Sequence, residues 1–503
     1  MGFIKNRKAF AIAVLLTVIF FASRLIFLTR LPIFTDEAIY IRWAQIAYND
    51  YNWLFISLTD GKQPLFIWFM VIILHFVKDP LFAGRLVSVF AGFASMIGLF
   101  LLSKELFKDS KIAFLSALLY VIYPFALVYD RMALYDSLVG TFAIYGLYLV
   151  LRLIKKNNLS SAIVLGLEVG LSNFNKSNFF QTIILAFPTI FVFKYGENKY
   201  LKKLSKPFLF VILAGVISYA LYSLLRISPF FYIINLKNAV FIYPIGEWLS
   251  HPFLSFPGNL KALLVWFYNY TTLSLIILML AGLFVDKKFI REKIVLLLWF
   301  VVPLVALSFL GRVIYPRYVL FMALPLLLLA AYCLSKILDL TKNRLLFAVF
   351  TIVFLILPLK SDFYILTNIS KSDIPFTDKF QYDAGWPSGW GVKEAVSFFD
   401  KESKKGKLFV GTQGTFGLLP YSLDIYLGKN KNVETKGYWP INDQIPQDLL
   451  SKAKSMPTYV VFYQPCSSCK QTGTPPILWP LRKVFSVDRE EVNFGVYQVE
   501  SNQ

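Results

Sequence analysis

Two adjacent carboxylates, Asp36 and Glu37, stand in the stretch PIFTDEAIYIRWAQ at 32–45. A carboxylate held beside a hydroxyl can take its proton in the transition state. A second stretch, VYDRMALYDSLVG at 128–140, supplies Arg131 and Asp136, and a third, DGKQPLFIW at 60–68, supplies Lys62. Lys176 closes GLEVGLSNFNK, and Arg317 and Tyr318 open YPRYVLFMALP at 315–325. Arg offers phosphate a two-pronged fork and Lys a point charge. A set mixing carboxylates with these cations suits an anionic ligand together with proton transfer. Each residue also has a plainer use. Asp36 and Glu37 favour the positive end of a helix that Thr35 would cap. Arg131 and Asp136, five apart, fit a loop ion pair, Lys62 is placed to snorkel, and a Tyr at headgroup depth belongs to an aromatic belt.

The elements that must position these residues are membrane helices. Of 503 residues, 57% are hydrophobic and 16% charged, and the mean hydropathy is +0.59. A soluble domain carries roughly 25% charged residues. The formal net charge of +21 sits largely in short loops between apolar runs, where the positive-inside rule puts it, so it does not point to nucleic acid. At roughly 20 apolar residues per crossing, about eleven spans are expected: 9–28, 81–103, 112–128, 133–153, 159–174, 177–195, 207–226, 263–285, 293–310, 317–335 and 344–360.

Basic clusters recur at alternate gaps: Lys5/Arg7/Lys8, Lys104/Lys108/Lys111, Arg152/Lys155/Lys156, the run Lys194 to Lys206, Lys287/Lys288/Arg291/Lys293 and Lys336/Lys342/Arg344. Placing all of them inside gives a multi-pass cell-membrane protein with a cytoplasmic N-terminus and an outer C-terminus. The first apolar run lacks a small-residue cleavage pattern, so it is read as a retained helix. The apolar stretch 64–77 is only about fourteen residues long and is laid on the outer surface rather than across the bilayer. The loops 29–80 and 129–132 then share the outer face. Ionisable residues gather there against the topology rule: Arg24, Arg30, Arg42, Lys62, Arg85, Arg131, Lys176 and Arg317 beside Asp36, Glu37, Asp60, Asp130 and Asp136. Charges at such depth are costly and default to function.

Residues 361–503 are polar, with a helix expected at 391–401 and strands at 407–412, 458–464, 481–487 and 493–499, the last two as a hairpin. The fold class is therefore an all-α polytopic bundle over 1–360, including an outer juxtamembrane loop at 29–80, followed by an extracytoplasmic α/β domain over 361–503. Cys466 and Cys469 have no second pair to make a zinc site and fit a local disulfide in an oxidising exterior. Glu168 lies in mid-span, where a packing hydrogen bond is the simpler reading. His75 lies in an apolar helix as a structural residue, and His251 follows Glu247 by four residues in the loop 227–262, a spacing that would also suit a metal pair.

The ordered set resembles the GT-C class of membrane glycosyltransferases, of the protein O-mannosyltransferase and lipid A aminoarabinose transferase type. The resemblance rests on the Asp36–Glu37 pair after the first span, the K-x-P-L stretch at Lys62–Leu65 and the Arg131-to-Asp136 segment. It rests also on Lys176 after a Gly-rich half-span, on Pro316-Arg317-Tyr318, and on GWPSGWGVKEAV at 385–396. It implies an inverting transferase that moves a sugar from a polyprenyl-phosphate-linked donor to an acceptor (protein, lipid or glycan) outside the cell membrane. It implies Asp36 as base with Glu37 orienting or sharing that role, and Asp136 completing the acidic side. Lys62, Arg131, Lys176 and Arg317 would hold phosphate, with Tyr318 as a hydrogen-bond donor. The family's K-P-P-L reads K-Q-P-L here, with Gln63 in place of a Pro, and Gly61 stands where some relatives carry an acid. That weakens the case for a metal beside Lys62, although dependence on a divalent metal stays open. A lipid-linked sugar flippase or a non-catalytic assembly subunit are the other readings; a transporter would be expected to show paired repeats, which the sequence lacks.

Overall fold

The computed structural model describes residues 7–176, 180–196, 200–340, 344–469, 471–489 and 492–500. Lys5, Lys342 and part of the run Lys194 to Lys206 lie outside the described residues. The chain forms two compact units, each discontinuous in sequence. One comprises Met1–Ile26, Asn52–Phe69 and Arg85–Pro375, the other Phe27–Tyr51, Met70–Gly84 and Phe376–Gln503.

In chain order the helices begin with α1 (Arg7–Leu25), α2 (Thr35–Asn49), α3 (Leu65–Leu74) and α4 (Pro80–Phe107). Next come α5 (Ser110–Val121), α6 (Pro124–Tyr129), α7 (Asp136–Lys156), α8 (Leu159–Asn175), α9 (Phe180–Lys194) and α10 (Tyr200–Ser223). Two short helices, α11 (Ile233–Phe241) and α12 (Ile245–Ser250), precede α13 (Phe256–Thr271), α14 (Leu273–Phe284) and α15 (Ile290–Leu310). The bundle ends with α16 (Arg317–Ala323), α17 (Leu327–Leu340) and α18 (Arg344–Thr367). At 1.5 Å per residue, the ten residues of α3 reach only about 15 Å. Its length agrees with a helix that does not cross.

Among the described residues, six helices are long and apolar enough to span a bilayer, or seven if α13 and α14, bent by 101° across Thr272, count as one. Part of the difference from eleven lies in where the chain breaks. The run 112–128 is cut where Pro124, which donates no backbone hydrogen bond, starts α6. The runs 159–174 and 177–195 give helices of 17 and 15 residues. The span Arg317–Leu340 has 94% of its apolar window buried inside the protein, whereas Arg7–Leu25 has 17%; the first is the bundle's centre and the second its rim.

Close packing sets how α8 lies against α10. A Cβ on Gly166 would stand 2.8 Å from Ile217 Cβ, and one on Gly170 would stand 2.5 Å from Leu221 Cδ1. This small-xxx-small face lets α8 and α10 meet nearly backbone to backbone. At one end of this unit the basic loops converge. Lys155 bonds Glu105 at 2.6 Å, Lys111 pairs with Asp339, and Lys293 and Lys336 both reach Asp286.

The second unit holds a five-stranded sheet of order β2-β1-β3-β5-β4, with β1 (Leu408–Gln413), β2 (Val433–Tyr438), β3 (Thr458–Phe462), β4 (Leu481–Arg489) and β5 (Val492–Val499). β1 runs parallel to β2 and β3, while β5 is antiparallel to β3 and β4. Helices α19 (Phe376–Lys379), α20 (Val392–Ser403), α21 (Leu418–Leu427) and α22 (Gln447–Ala453) complete the unit. α21 and α22 carry the crossovers that parallel pairing requires. The expected helix and four strands are present, including the β4–β5 hairpin. β2 (VETKGY) escapes sequence reading because it is a polar edge strand that alternates towards solvent. The core is built on Phe409, Leu449, Val460, Phe462 and Trp479. Cys466 and Cys469 are joined in a disulfide, as expected.

Helix α2 is bound into this second unit. Gln45 Nε2 donates to Ile425 O at 2.9 Å, and Arg42 meets Asp424 at 3.7 Å. Burial raises the Asp424 carboxyl against the opposing pull of Thr435 and Arg42. The segment 29–80 is thus shared, since Asn52–Phe69 clusters with the bundle while its flanks cluster with the sheet.

Candidate active site

Helices α7 and α8 are joined through Asn157 and Asn158 and pack on each other. The first residue of α7 therefore lies beside the last of α8. Asp136 starts α7, and Lys176 directly follows α8. Lys176 Nζ stands 3.3 Å from Asp136 Oδ1 and 4.5 Å from the ring centroid of Tyr318. Tyr318 is the second residue of α16, brought there by Pro316 at the helix start. A cation held over an aromatic face and against a carboxylate is fixed in place. Asp136 is buried and Lys176 about one-third exposed. Next to Tyr318, the Arg317 guanidinium lies 4.8 Å from the Tyr315 ring centroid, and Tyr315 packs edge-on to Tyr318 at 5.9 Å.

Lys62 reaches the same neighbourhood through a turn that requires glycine. Gly61 has φ +67°, and a Cβ there would fall 2.5 Å from Lys237 Cβ. Lys237 in turn bonds Asp60 at 2.6 Å, anchoring the loop. Lys62 Nζ lies 5.1 Å from the Phe241 ring centroid. The Tyr135 hydroxyl donates to Gln63 O at 2.9 Å, tying the residue after Lys62 to the residue before Asp136. Lys62, Asp136, Lys176 and Tyr318, widely spaced in sequence, are thereby gathered at the end of the bundle away from Lys155.

Arg131 is placed differently. Its Nη1 donates to Ser23 O, Arg24 O and Ile26 O at 3.0, 2.8 and 2.8 Å. These are the last carbonyls of α1 and its exit, so the guanidinium closes that helix end. Behind it is a network that sequence reading did not assign. Asp130 accepts from Arg24 Nε at 3.3 Å, Tyr120 OH at 3.1 Å and Ser137 Oγ at 2.9 Å. Arg24 also donates to the carbonyls of Tyr120 and Val121. Asp130 and Arg24 were visible in the sequence as outer-end charges; that Ser137, next to Asp136, completes the shell depends on the fold.

In the second unit, α2 begins at Thr35 and not after it. Thr35 is not the cap: its hydroxyl donates to Pro387 O at 2.9 Å. Glu37, fully buried, accepts the Phe34 N–H at 3.0 Å and so satisfies a free donor at the helix start. Asp36 is half-buried one residue earlier.

Among the described residues, no three His, Cys, Asp or Glu side chains are grouped to hold a metal. Glu247 bonds Arg312 at 2.8 Å and His251 Nδ1 is 2.8 Å from Ser250 Oγ. His75 Nδ1 is 2.8 Å from Val71 O, within its own helical turn. Glu168 has both carboxyl oxygens buried without a hydrogen-bond partner among the described residues; the packing bond expected from sequence is not formed.

Residues 61–224 match the family model described as dolichyl-phosphate-mannose-protein mannosyltransferase, a segment that contains Lys62, Arg131, Asp136 and Lys176. No curated protein matches the sequence. Among solved structures, the chain is similar to ArnT from Cupriavidus metallidurans bound to undecaprenyl phosphate, at 13% identity and a TM-score of 0.59, over 98% of each chain. It is likewise similar to that protein in the apo state, at 13% identity and a TM-score of 0.58, over 98% of this chain and 97% of the other. In fold over nearly its whole length, and in sequence over residues 61–224, the protein resembles the GT-C class of integral membrane glycosyltransferases.

Proposed function

We propose that the protein is an inverting glycosyltransferase that moves a sugar from a polyprenyl-phosphate-linked donor to an acceptor on the outer face of the cell membrane. The observation that carries this reading is Lys176, held between Asp136 and the Tyr318 ring within the segment that matches the family. The leaving group is a lipid phosphate. Lys176, Lys62 and Arg317 neutralise the charge that grows on it as the C1–O bond breaks. Asp136 orients Lys176, and Arg131 acts at one remove by fixing the end of α1. The acceptor hydroxyl attacks C1 from the opposite side while a carboxylate takes its proton. That base is Asp36, since Glu37 spends an oxygen on its own helix.

The convergence of basic loops at the far end of the bundle supports an inward orientation for that end. The Cys466–Cys469 disulfide supports an oxidising exterior for the sheet unit, where it would select the acceptor. The proposal retains eleven crossings, with the broken helices counted as spans, and the division into a transmembrane part over 1–360 and an outer part over 361–503. The test is sugar transfer by purified protein in lipid, offered a panel of polyprenyl-phosphate sugars, wild type beside Asp36→Asn. Transfer lost in the variant with donor binding kept supports the reading. A wild type that binds a donor but consumes none overturns it in favour of transport or assembly.

A further inference from the structure

The residues flanking the three charged groups are linked to one another. Gln63 follows Lys62, Tyr135 precedes Asp136, and Asn175 precedes Lys176. Tyr135 OH donates to Gln63 O at 2.9 Å, and Asn175 Nδ2 donates to Tyr135 O at 3.4 Å. The Phe66 ring packs on Tyr135 with centroids 5.0 Å apart, so this brace is stiff. Two amide atoms of the brace are left over. Gln63 Nε2 and Asn175 Oδ1 are buried without a hydrogen-bond partner among the described residues, on side chains 4% and 0% exposed. Leaving such atoms unpaired costs stability, and native proteins rarely keep them without a reason. The Asn175 amide cannot simply be flipped, because its Nδ2 is committed to a carbonyl.

A donor and an acceptor left unpaired on the residues that flank Lys62 and Lys176 have a specific chemical complement. Phosphate only accepts hydrogen bonds, and a bare amide oxygen would repel it. A hydroxyl both gives and receives. Gln63 is also the residue that departs from the family's second Pro, which carries no side-chain donor. We propose that Gln63 and Asn175 are specificity-determining residues that read a hydroxyl of the transferred sugar. Gln63 Nε2 donates to its oxygen and Asn175 Oδ1 accepts its proton. This rests on the transferase reading for the identity of the donor, but its test does not require turnover.

The experiment measures binding of undecaprenyl phosphate and of its sugar-linked forms to wild type, Gln63→Met and Asn175→Leu. The wild type is expected to bind at least one sugar-linked form more tightly than the bare lipid phosphate. Each variant is expected to lose about tenfold of that sugar-dependent affinity, the scale of one buried polar contact, while binding the bare lipid within about twofold. Equal weakening of bare and sugar-linked lipid overturns the proposal, as does a sugar-dependent part that survives in both variants. A wild type with no preference for the sugar overturns it too. Should the variants not fold, monodeoxy donors on the wild type give the same readout: one of them must lose the sugar-dependent affinity. Sugar-dependent binding without transfer keeps this inference and sinks the transferase reading, so the two fail separately.

Discussion

Asp130 and Asp136 lie six residues apart, and each meets a cation at 3.3 Å. Around Asp130 every direction is filled. Arg24, Tyr120 and Ser137 all donate to it, and neither side chain of the Arg24–Asp130 pair is exposed. Around Asp136 the partner is a Lys on a long stem, about one-third exposed and resting on a ring. The Asp130 site is closed and joins α1 to the loop before α7. The Asp136 site keeps its cation about one-third exposed. Depth and saturation, not distance, separate the two pairs, and the proposed role of Lys176 at a phosphate rests on that difference.

Breaking the closed pair carries the largest expected effect. Arg24→Ala or Asp130→Ala strands a buried charge, at a cost of about 3–5 kcal/mol. Much of the population should then be aggregated or unfolded in detergent, read by size-exclusion profile and melting midpoint. The double variant Arg24→Met/Asp130→Leu strands neither member of the pair and should recover a good part of that loss. A single variant that melts like the wild type would remove the distinction between the two sites.

Opening the other pair should weigh on transfer more than on stability. Lys176→Met deletes a cation that is about one-third exposed but takes a partner from the buried Asp136 carboxylate, so the melting midpoint should fall, by less than for the fully buried Arg24–Asp130 pair. Sugar transfer should fall about 10²–10³-fold, the usual consequence of removing one preorganised charge stabiliser. Lys176→Arg is not a neutral exchange at a site that stacks on Tyr318 and should recover only part of the rate. Unchanged transfer in Lys176→Met would place the phosphate elsewhere.

How much of this was legible beforehand follows the same division. Residues tied to a local pattern were readable. The apolar alternation marked β1, β3, β4 and β5, and the lone Cys466–Cys469 pair marked the disulfide. What was not readable depended on contacts across the fold. Asp130 was visible as an outer-end acid, but only packing brings Arg24, Tyr120 and Ser137 onto it from three sequence regions. The same holds for Lys237 at Asp60 and for the tie from Gln63 through Tyr135 to Asn175. Hydropathy marks eleven apolar runs where the described residues hold six or seven long apolar helices, because an apolar run remains apolar across a kink such as Pro124 or the bend at Thr272. Thr35 looked like a cap because its type suits one, yet a loop from the far end of the chain claims its hydroxyl.

The acidic pair of α2 allows a finer version of the same comparison. Glu37→Gln removes the charge from a helix-start hydrogen bond and should cost about 1 kcal/mol, within the range of a lost cap, with transfer largely preserved. Asp36→Asn should leave the melting midpoint close to wild type and abolish transfer. The reverse pattern would move the base from Asp36 to Glu37.

A pH-dependent effect, apart from the site, is expected at the opposite end of the bundle, where Asp286 lies in the turn between α14 and α15. Burial pushes its carboxyl up, but hydrogen bonds from Lys336, Tyr332 and Lys293 outweigh that and bring it down to about 2. A carboxylate lowered on folding adds stability that is fully present above its ordinary value, near 4. That stability is lost as pH falls through the folded value. The melting midpoint of the wild type in detergent should therefore decline between about pH 4 and pH 2 through this group. Asp286→Asn should start lower and show a shallower decline over the same window. Lys293 is fully buried there, so the variant also strands part of a cation's partner set, and its deficit at neutral pH should exceed that of an exposed ion pair. Identical slopes in wild type and variant would show that the turn is held by its carbonyl contacts to Lys293 and not by the carboxylate.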